Sequence, residues 1–229
     1  IYLNFTNLGG NTNRDYVAVR LRQGTQLPKP GMASDTGGLS MVTERPMYVL
    51  GDYNTSVWRP AAIMGDAITF LSNPPNPAMA QKPTSLSTRC SAQAGWCDTL
   101  QTTFVQRTAR ATTVNAALLV GHSATPCDYA RSGCSAPAYG GGLENLPRFL
   151  ENWGGVTFRY TGSLVSLYQS RYAFGLWGNT HNVGYGSGAY YSAPTRRWSF
   201  DVNFRFPERL PPGTPSVGTV LQTAFRPLY

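Results

Sequence analysis

The amino-acid sequence predicts an all-β fold of solenoid type. Three observations carry this: apolar runs too short for helices, turn residues at most of their boundaries, and a strand–corner–strand outline that recurs along the chain. Charged residues make up only 13% of the 229 positions, about half the usual share of a globular protein. Ser, Thr, Asn, Gln and Gly must therefore supply much of the surface. The 24 Gly and 17 Pro residues suit a chain of short strands and frequent corners, because both residues are poor in helix interiors.

The expected strands are Tyr16–Leu21, Leu39–Thr43, Met47–Leu50, a paired run over Ala62–Leu71, Val114–Val120, Val156–Tyr160, Ser163–Tyr168, Ser199–Phe204 and Val217–Leu221. Alternation of Val17, Val19 and Leu21, and of Val156, Phe158 and Tyr160, places one face of each strand in a core. From Leu39 to Asn54 the chain reads as strand, a Glu44-Arg45-Pro46 corner, strand, and a Gly51-Asp52-Tyr53-Asn54 turn. The stretch from Ala62 to Asn73 repeats that outline around Gly65-Asp66, and 112–122 and 156–169 follow it more loosely. Such repetition is the mark of a β-solenoid, in which each coil stacks its apolar residues on the next. A β-sandwich with long loops is the alternative. The whole chain, 1–229, is expected to be one domain, with irregular excursions at 74–100 and 123–142. Leu143, Leu146, Leu150 and Trp153 fall at helical spacing and predict a short capping helix over 143–153, with Pro147 in its first turn.

The four cysteines form two equally spaced local pairs, Cys90 with Cys97 and Cys127 with Cys134. Metal binding favours closer spacing with convergent His, so two disulfides stapling the excursions are expected. That implies an oxidising, extracellular or cell-surface location. The chain begins at Ile1 with no charged leader and no apolar run long enough to span a bilayer, which suggests a processed product or part of a longer precursor.

The net charge of +8 arises from 11 acids against 19 bases, and the bases are scattered. No clustered nucleic-acid motif results, although weak attraction to an anionic polymer fits. Neither His122 nor His181 accompanies a nucleophile elbow, and the glycine triplet 140–142 lacks the Lys and Ser or Thr of a phosphate loop. Asp52 and Asp66 recur at corners beside Asn54 and Asn73. Their expected role is to bond backbone, with an oxygen-liganded cation such as Ca²⁺ as the alternative. Otherwise no cofactor is expected. Aromatic residues interleaved with Gly, Ser and Asn make Tyr168, Tyr172, Trp177, Tyr185, Tyr190 and Tyr191 a candidate ligand or partner surface.

Six stretches carry a resemblance: GLSMVTERPMYVLGDYNT (38–55), PAAIMGDAIT (60–69), TVNAA (113–117), GGLENLPRFLENW (141–153), and YYSAPTRRW (190–198) followed by LPPGTP (210–215). Together they resemble bacterial exported proteins allied to type IV pilus assembly and minor-pilin-like surface proteins. The resemblance implies a right-handed parallel β-helix and brings no catalytic residues. The sequence reading is therefore a non-enzymatic structural or binding module of a surface appendage, whose partners are other protein subunits. A carbohydrate-binding adhesin comes second, and a polysaccharide lyase third.

Overall fold

A computed structural model describes residues 1–5, 17–28, 37–73, 90–91, 96–97, 108–122, 146–173 and 191–215. The described strands are β1 (Tyr2–Leu3), β2 (Val19–Arg22), β3 (Leu39–Thr43), β4 (Met47–Leu50), β5 (Ala61–Gly65) and β6 (Ile68–Leu71). They continue with β7 (Cys90–Ser91), β8 (Trp96–Cys97), β9 (Thr112–Val120), β10 (Arg148–Phe149), β11 (Thr157–Val165) and β12 (Thr195–Phe200). Two short 3₁₀ turns, Val202–Arg205 and Pro207–Arg209, follow β12. Among the described residues no helix is long and apolar enough to cross a membrane.

The fold is all-β and built on parallel sheets. One sheet has six strands in the order β1-β3-β5-β9-β11-β12, and a second has four in the order β10-β6-β4-β2. Every pairing within these two sheets is parallel. From β1 to β6 successive strands alternate between the sheets, as do β9, β10 and β11, so, β11 and β12 apart, a strand's neighbour in its sheet is not the next described strand in sequence. The antiparallel pair β7–β8 stands apart.

Register explains the core. In the four-stranded sheet Val19, Met47 and Ile68 form one row, and Leu21, Val49, Phe70 and Phe149 form the next. The buried faces of both sheets merge into one apolar cluster. Phe70 lies 5.0 Å from Phe158 of the six-stranded sheet, and Phe149 meets Phe158 and Trp153 edge-on at 5.2 and 5.4 Å. Edge-to-face contacts of this kind add to the area that the rings bury. Gly162 faces the same interior. A Cβ there would strike the Ala116 carbonyl and the Tyr160 hydroxyl, so only glycine fits.

Several expectations are met closely. Leu39–Thr43 and Met47–Leu50 are strands with the expected bounds, and Gly65-Asp66 forms the corner between β5 and β6. The expected helix is not formed over its described part, 146–153. There the chain passes a cis Leu146–Pro147 bond into β10. Proline pushes the preceding residue toward extended backbone, and Phe149, Glu151 and Trp153 are buried at a period of two rather than 3.6. Val156–Tyr160 and the start of Ser163–Tyr168 are joined in β11, which spans Thr157–Val165. The strand expected over Ser199–Phe204 ends at Phe200, because the Asp201 carboxylate accepts the Asn203 amide and starts a 3₁₀ turn. Val217–Leu221 and most of both excursions lie outside the described residues.

Val49 is 1% exposed, at the centre of its row. Val49→Asp is expected to abolish cooperative thermal unfolding, since a lone carboxylate in this core costs several kcal/mol or must take up a proton. A variant that melts cooperatively near the parent temperature would show that this face does not hold the fold.

Candidate functional site

The described carboxylates are mostly engaged by the chain's own backbone. Asp66, 4% exposed at the β5–β6 corner, accepts the amides of Arg171, Tyr172 and Ala173 with its two side-chain oxygens. Its carbonyl accepts the Ser170 hydroxyl at 2.7 Å. The Tyr168 hydroxyl donates to the Gly65 carbonyl at 2.7 Å, and the Arg148 guanidinium donates to the Ala173 carbonyl. One corner thus gathers Tyr168 and residues 170–173. Burial lowers the pKa of Arg148, opposed by the nearby charge of Asp66 and by Tyr48 and Tyr191.

The pattern repeats elsewhere. Buried Glu151 accepts the Ser72 amide at 2.6 Å and the Ser72 hydroxyl at 2.8 Å. Buried Asp201 accepts the Trp58 indole N–H at 2.7 Å and the Asn203 amide at 3.0 Å. Asp52 accepts the Thr113 amide at 2.8 Å, while its own amide donates to the Asn73 side chain. Asn54, 1% exposed, donates to the carbonyls of Arg59 and Asn115, and Asn115 donates back to the Asn54 carbonyl at 2.9 Å. Asp52 and Asp66 therefore take the backbone-bonding role expected of corner acids. Among the described residues no group of three His, Cys, Asp or Glu converges as a metal site would need.

The expected aromatic surface divides. Tyr168 is 39% exposed, and burial of its remainder, together with nearby Asp66, raises its pKa. The Arg45 guanidinium lies 3.9 Å over the Tyr172 ring. These two residues flank the Asp66 corner. Tyr191 is corrected: at 2% exposure it packs 5.9 Å from Phe149 as part of the core, not of a surface. Trp177, Tyr185 and Tyr190, together with Cys127, Cys134 and His181, lie outside the described residues. The backbone register of β7 and β8 sets Cys90 directly opposite Cys97. His122 Nδ1 lies 2.7 Å from the Ser166 hydroxyl, and among the described residues no carboxylate hydrogen-bonds that ring.

Two features of the outer face of the six-stranded sheet were not read from the sequence. Tyr2, Val42, Met64, Leu119 and Val165 fall in one register row across β1, β3, β5, β9 and β11. All five side chains are at least partly exposed, Tyr2 at 64% and Val165 at 36%. On β11 and β12 the outward positions are Thr157 beside Thr195, Arg159 beside Arg197, and Thr161 beside Ser199. No known family model, characterised protein or solved structure matches the chain.

Asp66→Asn is expected to destabilise the protein by about 2–4 kcal/mol, because hydrogen bonds to a charged acceptor are lost and a buried amide is left facing an NH₂ group. Amide exchange at 171–173 should accelerate more than at β4. Unchanged denaturant midpoint and exchange would show that the corner does not hold this segment.

Tyr53 gives a test in alkali. Burial pushes its pKa up to about 12, and burial also raises Tyr160, which faces the charge of Asp201. The folded state keeps protons that the unfolded chain releases above about pH 10, so stability is complete below pH 10 and falls as pH rises from there. The expected slope is about 1.4 kcal/mol per pH unit for each such tyrosine. Among the described residues the buried Tyr53 hydroxyl has no hydrogen-bond partner. Tyr53→Phe should thus leave stability at pH 8 nearly unchanged and flatten the loss between pH 10 and 11, as read from urea midpoints.

Proposed function

We propose that this chain is an exported, right-handed parallel β-helix serving as a non-catalytic subunit of a bacterial surface appendage related to type IV pili. Coil-by-coil winding accounts for parallel pairing between strands that are not consecutive and for their alternation between two sheets. The non-catalytic part of the reading is supported by the described acids. Asp66, Glu151 and Asp201 are buried acceptors, leaving no convergent acid–base pair among them.

The observation that carries the assembly reading is the outward apolar row Tyr2–Val42–Met64–Leu119–Val165. With strands about 4.8 Å apart it runs for about 19 Å across the sheet. A continuous, partly exposed apolar stripe on a sheet face is the usual character of a subunit contact. Its partner in this reading is another subunit of the appendage, and a second copy of the chain serves as the probe.

Purified chain is expected to self-associate with rising concentration in sedimentation velocity. Met64→Lys should return it to monomer with an unchanged melting temperature, because the side chain points outward. A wild-type chain that stays monomeric across the micromolar range, or a Met64→Lys variant that still associates, would overturn the reading.

The export part of the reading includes disulfides Cys90–Cys97 and Cys127–Cys134. The first is supported by the direct opposition of its residues in the β7–β8 pair. Peptide mapping under non-reducing conditions should recover both local bridges, and free thiols or crossed pairing would contradict them.

A further inference from the structure

We infer that the outer face of β11 and β12 binds a carboxylated polysaccharide, with Arg159 and Arg197 as its anionic subsite. The inference goes beyond the assembly reading and does not depend on it, since the apolar row and the arginine pair involve different side chains.

Arg159 and Arg197 are register partners on neighbouring parallel strands. Both are exposed and both point away from the core, because Phe158 and Tyr160 on either side of Arg159 are buried. Like charges set side by side across a sheet are destabilising. Here the repulsion is not relieved: among the described residues neither guanidinium has a hydrogen bond or an ion pair, and the one described ion pair joins Arg45 to Glu44. Four of the described acids serve elsewhere. Asp66, Glu151 and Asp201 are buried, and Asp52 is bonded to the Thr113 amide. A sheet surface carrying this unrelieved pair is complementary to an anion.

The neighbours narrow the anion's chemistry. Thr157 and Thr195 form the row on one side of the arginines, and Thr161 and Ser199 form the row on the other, their hydroxyls 3.4 Å apart. Guanidinium groups take carboxylates in bidentate geometry, whereas hydroxyls both donate and accept. A sugar acid presents this mixture, a carboxylate flanked by hydroxyls that also do both. Phosphodiester backbones offer acceptors but few donors, so duplex DNA uses the flanking rows poorly. The three rows span about 13 Å along the strands, which suits an oligomer better than one ring. Trp198 points to the opposite face, where Arg196 stacks on it at 5.2 Å and Tyr160 meets it at 6.0 Å. No aromatic residue of β11 or β12 lies among the outward positions, so stacking of neutral sugars has no platform here.

The test uses the full chain with three probes: polygalacturonate, its methyl-esterified form, and duplex DNA, measured by biolayer interferometry at low and moderate salt. Binding of polygalacturonate is expected to weaken with salt and to fall at least tenfold on esterification. The Arg159→Gln/Arg197→Gln variant should lose at least tenfold in affinity while its melting temperature stays the same or rises, because the repulsion is removed. Arg20→Gln/Arg22→Gln, which removes the same charge from exposed positions of β2, should bind like the parent. The proposal is overturned by absent wild-type binding, by equal affinity for the esterified polymer, by tighter binding of DNA, or by equal losses in the two double variants.

Discussion

The carboxylate of Asp66, closed into the β5–β6 corner by three backbone amides, is the contact on which the rest of the molecule turns. A parallel sheet needs long connections, and each connection carries amides and carbonyls that leave the ladders and still require partners. Water can serve those at the surface. Where the chain must cross a buried corner, a side-chain acceptor has to stand in. Asp66 does this for the segment after β11, Glu151 for Ser72, and Asp201 for the turn after β12. Each of these acids ties together strands from different parts of the chain. Their burial also leaves few acids on the described surface.

Between the corners, the aromatic cluster joins the two sheets. Phe70, Phe149 and Phe158 come from β6, β10 and β11, and Trp153 and Tyr191 close one side of the group. β10 is only two residues long, so its place depends more on Phe149 in this cluster than on its ladder. The same dependence explains Tyr191. Its neighbours in sequence suggested a surface, but a ring that fills the gap beside Phe149 stabilises the core by roughly the value of a fully buried large side chain, about 2–3 kcal/mol.

Local features were legible and tertiary ones were not. β3 and β4 could be bounded from sequence because Gly38, Pro46 and Gly51 interrupt a β-branched and apolar run on each side. The corner roles of Asp52 and Asp66 followed from residue type and turn position. The helix over 143–153 was misread because leucines at helical spacing outvoted Pro147, although Phe149, Glu151 and Trp153 also held a period of two. Nothing in the order of residues indicates that Glu151 meets Ser72, or that Arg159 stands beside Arg197. Those are facts of register between distant segments, and register emerges only when the sheets are assembled.

The unequal lengths between stacked strands bear on how such a chain can change over time. Leu39 lies beside Ala61, yet Ala62 lies beside Ala117 in the same sheet. The chain between β5 and β9 is thus much longer than the chain between β3 and β5, and the parallel ladder keeps its pairing on either side. Closing a longer loop costs only a slowly growing entropy, so material added at a corner is cheap while material added inside a strand would shift every following row. Insertions and deletions in relatives of this chain should therefore gather at the corners, and its outer edges can diversify while the parallel ladders stay the same.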